Sequence, residues 1–108
     1  MPREALSSLT EPMYYVLLAL TRPLCGIEIM DRVKELSRGR LTIGPGTLYT
    51  MLAKFEDNGL ITPTKEPGAS GKRKTYVITS RGIVFLKQEY DKLKRQAEDG
   101  RVIMEELI

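Results

Sequence analysis

The chain has 108 residues, a length typical of one domain with a modest core. Its composition, 42% hydrophobic and 29% charged, is that of an ordinary globular protein and not of a disordered tail. It contains no histidine and one cysteine, which excludes the usual zinc sites, Ser–His and Cys–His catalytic pairs and an intramolecular disulfide. We therefore expect no enzymatic activity, no metal and no cofactor.

Hydropathy indicates the compartment of the protein, and charge indicates which segments differ from the rest. No apolar run approaches the roughly 20 residues that a membrane-spanning helix needs, and no signal-peptide pattern is present, so the cytoplasm is the predicted compartment. The net charge of +3 is unevenly distributed. Residues 62–76 contain four cations and one anion, whereas residues 96–108 contain one cation and four anions. The sequence therefore predicts one basic feature and an acidic tail.

Two helices are predicted in the first part of the chain. Thr10 is a favourable N-cap, and the apolar residues after it recur at helical spacing. The members of this first stripe are Met13, Val16, Leu17 and Leu20. A second amphipathic helix is expected to begin at Gly26 and to end near Gly39, a favourable C-cap.

A third helix is predicted from Pro45 to about Asn58, followed by Gly59 as its stop signal. Three short helices with brief connections are typical of a helix-turn-helix core, in which the third helix enters the major groove of DNA. The residues on its outward side are candidate DNA contacts: Pro45, Gly46, Thr47, Tyr49, Thr50 and Lys54. Taken alone, these residues favour the simpler interpretation of solvent-facing polar residues on a surface helix.

After the third helix the hydropathy pattern changes from helical to alternating. Residues 60–64 and 74–79 are predicted strands, with Pro63 restricted to an edge or a strand end. The connection between them is rich in turn-forming and basic residues, among them Lys72, Arg73 and Lys74. Such charges are often only solubilising, but a basic hairpin after a recognition-like helix is the wing of a winged helix. We therefore predict a mainly α, α+β winged helix-turn-helix fold.

A long last helix is predicted from Thr79 or Ser80. Its apolar positions follow one heptad register: Ile83, Leu86, Tyr90, Leu93, Ala97, Gly100, Met104 and Leu107. Gly100 is the weak member, and the sequence leaves a kink or break open there. The stripe either folds back over its own domain or, as we favour, pairs with a second copy. This divides the chain into a DNA-binding domain, 1–79, and a dimerisation helix, 80–108.

Four segments resemble the PadR family of bacterial transcriptional regulators. They are Gly26-Ile27-Glu28-Ile29, residues 44–49 with Gly-Thr-Leu-Tyr, residues 52–61, and residues 72–82 with Arg-Lys-x-Tyr-x-x-Thr-x-x-Gly. The resemblance implies a winged helix that represses a nearby operon as a homodimer on double-stranded DNA, with relief by a small-molecule effector at the dimer interface. It assigns Thr47, Tyr49 and Lys54 to the recognition helix. It assigns dimer contacts to Leu86, Tyr90, Leu93 and Ala97, with Met13 and Leu17 of the first helix.

The sequence departs from the family pattern at two places, one in the recognition helix and one at the start of the second helix. Thr50 stands where the family usually has proline, and Cys25-Gly26-Ile27 stands where it often has His-Gly-Tyr. The chain also lacks tryptophan, and Tyr90 is the only aromatic residue on the heptad seam, which argues against a flat ligand clasped between rings there. Two other functions stay open: an adaptor that binds protein, and a small-molecule carrier built around the dimer.

Overall fold

A computed structural model describes residues 6–65 and 73–108. The elements in chain order are α1 (Glu11–Ala19), β1 (Leu24–Cys25), α2 (Gly26–Leu36), α3 (Pro45–Asp57), β2 (Ile61–Thr64), β3 (Thr75–Ile78) and α4 (Ser80–Glu106). This order confirms the predicted α+β winged helix-turn-helix.

The helix ends follow the predicted cap residues. The Thr10 hydroxyl accepts a hydrogen bond from the Met13 amide at 3.4 Å, as an N-cap does. At the end of α2, Gly39 takes a positive φ of 81° and its amide donates to the Lys34 carbonyl at 2.8 Å. Gly59 follows the last turn of α3 with a φ of 72°, and the amide of the next residue, Leu60, donates to the Phe55 carbonyl at 2.9 Å.

The sheet has one strand more than the sequence predicted. The short strand β1 pairs antiparallel with β3, which also pairs with β2, so the order is β1-β3-β2. Pro63 belongs to β2 and lies opposite Tyr76 of β3. Because β2 is an edge strand, proline is tolerated there although it has no backbone N–H for the hydrogen-bond ladder. A two-residue strand is too short to produce an alternating hydropathy pattern, which is why β1 was not predicted.

The core fills the space between the three short helices and the sheet. Side chains with almost no solvent exposure come from every layer: Val16, Leu17, Leu20, Ile29, Val33, Leu48, Leu52, Phe55, Leu60 and Ile61. Leu17 is fully buried and Met13 nearly so, both within their own chain. These two residues therefore have little surface left for the dimer contact that the sequence assigned to them.

The junction between the hairpin and α4 is held by Thr79. Its hydroxyl donates to the Gly59 carbonyl at 2.7 Å and accepts from the Gly82 amide at 3.0 Å. Its own amide donates to the Leu60 carbonyl at 2.9 Å. Gly82 fits against that same carbonyl: a Cβ atom built on Gly82 would lie 2.1 Å from the Leu60 oxygen. Only glycine therefore fits here without a shift of the backbone.

Helix α4 is continuous through Gly100, which settles the break that the sequence left open. Arg101 forms ion pairs with Glu98 at 2.7 Å and with Glu105 at 2.8 Å. The Glu98 pair spans the glycine and the Glu105 pair follows it directly; each i,i+3 or i,i+4 pair stabilises a helix by roughly 0.2–0.5 kcal/mol. Gly82, Leu86 and Glu89 are buried against the domain, whereas the turns after them lie exposed.

Substitution of Gly82 by alanine is expected to lower the free energy of unfolding by about 1–3 kcal/mol, because the added methyl group meets the Leu60 backbone. Gly100→Ala is the matched control in the same helix. No atom outside its own helix lies within 4 Å of a Cβ there, so a gain of up to about 1 kcal/mol is expected. Urea unfolding of both variants measures the difference. Equal free energies would contradict the close contact at Gly82.

Candidate nucleic-acid interface

Helix α3 presents the predicted recognition residues on its solvent side. Its inward face is formed by Leu48, Leu52 and Phe55. On the outward side, five of the predicted residues are exposed and the last is half-buried: Pro45, Gly46, Thr47, Tyr49, Thr50 and Lys54. The structure thus brings all six onto one helix, with the small residues nearest its beginning.

The start of α3 is open to a bound anion. Its N-cap is Gly44, and its first turn contains no acidic residue and no side-chain cap in the part of the chain described. The first backbone amides of a helix point outward, where the helix dipole favours negative charge. Gly46 adds no side chain that would keep a phosphate or a base edge at a distance.

Tyr49 is the largest exposed side chain of α3, with 56% of its surface accessible. Its hydroxyl rests on the first turn of α2, since a Cβ atom on the buried Gly26 would lie 2.9 Å from the Tyr49 oxygen. Gly26 therefore gives the tyrosine its resting position. The sequence identifies Gly26 as a helix start and as part of the family-like segment, but does not reveal this contact, because it joins residues far apart in the chain.

The wing, which is the β2–β3 hairpin that follows α3, carries exposed positive charge. Lys72 lies outside the described residues, whereas Arg73 and Lys74 are described and exposed. The Lys74 ammonium group lies 5.3 Å from the centre of the Tyr76 ring, a cation–π distance. Thr75, the next residue, donates from its hydroxyl to the Thr64 carbonyl at 3.1 Å across the hairpin. This hydrogen bond holds the two strands of the wing together directly next to Lys74.

A recess lies between α1 and α4, with a volume of about 280 Å³. Its lining is mostly aromatic and acidic: Leu9, Thr10, Glu11, Tyr14, Tyr15, Glu89 and Leu93. We call this recess the α1–α4 groove. The aromatic pair of Tyr14 and Tyr15 packs edge to face with ring centres 5.9 Å apart. Aromatic side chains beyond Tyr90 therefore lie near the seam, although they belong to α1 and not to the heptad stripe.

Glu89 is the buried charge of this groove. One carboxylate oxygen accepts from the Lys92 ammonium at 3.1 Å, and the other from the Leu9 amide at 3.4 Å. Burial raises the pKa of the Tyr14 hydroxyl, and nearby Tyr90, Tyr15 and Glu89 raise it further. Sequence reasoning missed Glu89 because a lone carboxylate on a charged helix ordinarily faces solvent.

The linker before α3 is anchored to the same groove through Arg40. Its guanidinium donates to Glu11 at 2.7 Å and to the Tyr15 hydroxyl at 3.0 Å. The hydrogen bond with Glu11 is the main reason that the pKa of Arg40 is raised above its ordinary value. One side chain thus connects α1 to the segment that leads into the recognition helix.

The predicted dimer residues of α4 differ in exposure. Leu86 is buried against its own domain, whereas Tyr90, Leu93 and Ala97 are exposed in a single copy. Further along the helix, several large apolar side chains are also exposed: Val102, Ile103, Met104, Leu107 and Ile108. The first turns of α4 therefore fold back over the domain, and the rest do not.

Residues 6–65 and 73–108 offer neither a metal site nor a membrane span. No group of three or more histidine, cysteine, aspartate or glutamate side chains in this part of the chain is arranged to hold a metal ion. Within the same residues, none of the helices has both the length and the apolar character needed to cross a membrane.

The fold and parts of the sequence match known proteins. A PadR family transcription regulator from hypervirulent Clostridium difficile R20291 superposes with a TM-score of 0.73, at 23% identity, over 88% of this chain and 99% of that chain. A PadR family transcriptional regulator from Eggerthella lenta DSM 2243 gives 0.68 at 25% identity, over 86% of this chain and 80% of that one.

A curated relative is more similar in sequence. A 37.1 kDa protein in transposon TN4556 of Streptomyces fradiae is 34% identical over 80 residues, which is 74% of this chain but 21% of that protein. The chain thus spans about a fifth of this relative's length. The family model of the transcriptional regulator PadR-like family matches residues 16–88. Because this match covers well over half of the chain, the chain belongs to the PadR-like family of transcriptional regulators.

Proposed function

We propose that this chain is a cytoplasmic, sequence-specific regulator that binds double-stranded DNA as a homodimer and represses transcription from an inverted-repeat operator. The observation that carries the proposal is the polar outer face of α3, where Thr47 and Tyr49 are exposed and Lys54 is half-buried, in a chain whose wing also exposes Arg73 and Lys74. The proposal assigns no catalytic step to the chain.

The chemistry of this face suits a major groove. Hydroxyl groups such as those of Thr47 and Tyr49 donate or accept hydrogen bonds at base edges and phosphates. The uncapped first turn of α3 adds backbone amides for a phosphate. Arg73 and Lys74 supply cations for the flanking backbone, where each neutralised phosphate releases a counterion and makes binding salt-dependent.

A homodimer is supported by the part of α4 that extends past its own domain. Tyr90, Leu93 and Met104 expose apolar surface there on a stripe with heptad spacing. A two-fold dimer would present two copies of α3 to one side of the duplex, about 34–36 Å apart, which is one helical turn of DNA. The matching operator is an inverted repeat, and a dimer seated on it would block transcription.

The α1–α4 groove supports a small-molecule effector at the dimer interface. Leu93 lines the groove and also belongs to the dimer stripe, so the two sites are continuous. Arg40 connects Glu11 and Tyr15 of the groove to the linker before α3. An effector that displaced these contacts would change the position of the recognition helix and relieve repression.

Selection from a pool of random duplexes tests the proposal directly. We expect enrichment of an inverted repeat that binds far more tightly than scrambled DNA, measured by fluorescence anisotropy at two salt concentrations. Weak and equal binding to every duplex would overturn the regulator proposal. The fold would then favour a protein-binding adaptor.

Replacement of Arg73 and Lys74 together by alanine should weaken binding to all duplexes. The slope of log affinity against log salt should shrink by about 3–4, because each phosphate that a cation neutralises contributes roughly 0.9 and the dimer variant lacks four such cations. Lys94→Ala with Arg95→Ala removes the same charge from exposed positions on α4 and serves as the control. An unchanged slope in the wing variant, or an equal change in the control, would contradict the role of the wing.

Gly26→Ala should weaken operator binding by about 1 kcal/mol per half-site, the value of one hydrogen bond, because the new methyl group displaces the Tyr49 hydroxyl. Thermal stability should change little, since the displaced atom is the end of an exposed side chain. Tyr49→Phe, which lacks that hydroxyl, completes a double-mutant cycle. Additive losses in the double variant would show that Gly26 does not act through Tyr49.

Replacement of Tyr90 and Leu93 together by aspartate should convert the dimer to monomers of 12.2 kDa, because charges would replace the exposed apolar stripe. Gln88→Asp with Arg95→Gln changes the net charge of α4 equally but lies off the stripe, so it should stay dimeric. Light scattering gives the mass of each variant. A dimeric stripe variant would move the interface elsewhere.

A further inference from the structure

Ile27 is an exposed apolar residue at the edge of the recognition surface. Before α4, the exposed large hydrophobic side chains of the described residues are Ile27, Leu36 and Tyr49. Leu36 is the last residue of α2, whereas Ile27 is the second residue of that helix. Ile27 directly follows Gly26, on which the Tyr49 hydroxyl rests. The backbone of Ile27 therefore lies next to the Tyr49 hydroxyl, where the start of α2 meets α3.

The packing of α2 does not require an apolar residue at position 27. Ile29 and Val33 fill the core from this helix and are fully buried, while 46% of the Ile27 surface is accessible. The first turn of a helix ordinarily favours acidic or hydroxyl side chains. The acidic side chain of that turn, Glu28, is turned back onto the chain, where its carboxylate accepts from the Cys25 amide at 2.8 Å. The start of α2 thus presents an uncharged aliphatic group beside α3.

We propose that Ile27, together with the ring of Tyr49, contacts the 5-methyl group of a thymine in each operator half-site. This inference rests on the proposed function. The thymine methyl group is the apolar feature that base edges offer in the major groove. An isoleucine side chain has no hydrogen-bond donor or acceptor, so it distinguishes bases through apolar contact alone. Ile27 is therefore a specificity-determining residue outside the recognition helix.

The polar residues of α3 interact with DNA through different chemistry. Thr47 and Lys54 on α3 offer hydrogen bonds or charge, and such groups interact with phosphates as well as with bases. The Ile27 contact depends only on whether a methyl group is present. Uracil pairs like thymine but lacks that methyl group, so it removes this contact and leaves the base pair and its hydrogen-bonding groups in place.

Deoxyuridine scanning of the selected operator tests the inference. Each thymidine is replaced in turn, symmetrically in both half-sites, and the affinity of the full-length protein is measured by anisotropy. At one position we expect the affinity of the wild-type protein to fall about fourfold per half-site, which corresponds to the burial of roughly one methyl group. Ile27→Ala should bind the thymidine duplex more weakly than the wild-type protein does, and its affinity should not fall further when deoxyuridine replaces thymidine at that position.

Leu36→Ala is the matched control, since it shortens an exposed apolar residue at the other end of the same helix. Its affinity should fall as much as that of the wild-type protein when deoxyuridine replaces thymidine. An unchanged uracil profile in Ile27→Ala overturns the inference, and so does equal weakening of every duplex, which is the result for a contact with deoxyribose. If wild-type protein binds all duplexes alike, the regulator proposal fails as well. Specific binding with no uracil-sensitive position coupled to Ile27 overturns the methyl contact alone.

Discussion

The architecture depends on the close approach of the Gly59–Leu60 backbone to the first turn of α4. Thr79 bonds to the carbonyls of both residues, and Gly82 leaves room for the Leu60 oxygen. The Leu60 amide donates in turn to the Phe55 carbonyl at 2.9 Å, at the end of α3. The recognition helix, the base of the wing and the start of α4 therefore meet at one junction. Because these contacts are to backbone atoms, they fix relative position independently of surface side chains.

This junction explains how a small domain aligns the parts of a DNA-binding surface. The Ile78 amide donates to the Leu20 carbonyl at 2.8 Å, which attaches the end of α1 to the wing strand. β1 joins the other edge of that strand and leads directly into α2, so the resting place of Tyr49 is fixed by the same sheet. Arg40 is the separate connection from α1 to the linker before α3. The positions of α3, of the wing and of the start of α4 are thus fixed relative to one another through β3 and its neighbours.

Features that depend on local chain chemistry were predictable from the sequence. Thr10, Gly39 and Gly59 identify helix ends because capping is a property of adjacent residues, and the hairpin followed from its alternating pattern and turn residues. Features that depend on distant partners were not predictable. β1 exists only because β3 offers it an edge, and the buried Glu89 accepts a hydrogen bond from the amide of Leu9, a residue far away in the sequence. The heptad stripe of α4 shows both cases. Its periodicity is visible in the sequence, but the sequence does not show which of its residues, such as Leu86, the domain already covers.

The extension of α4 past its domain divides its backbone into two stability classes. At 1.5 Å per residue, its 27 residues span about 40 Å, and its buried residues end at Glu89. Amides in the turns around Gly82 and Leu86 open only when the core unfolds, so their hydrogen exchange follows the global free energy of the domain. Beyond Leu93, a single copy protects the amides by helix hydrogen bonds and by exposed pairs such as Arg101–Glu105, which salt screens. Exchange in that half of the helix consequently reports on whatever covers it, separately from the stability of the fold.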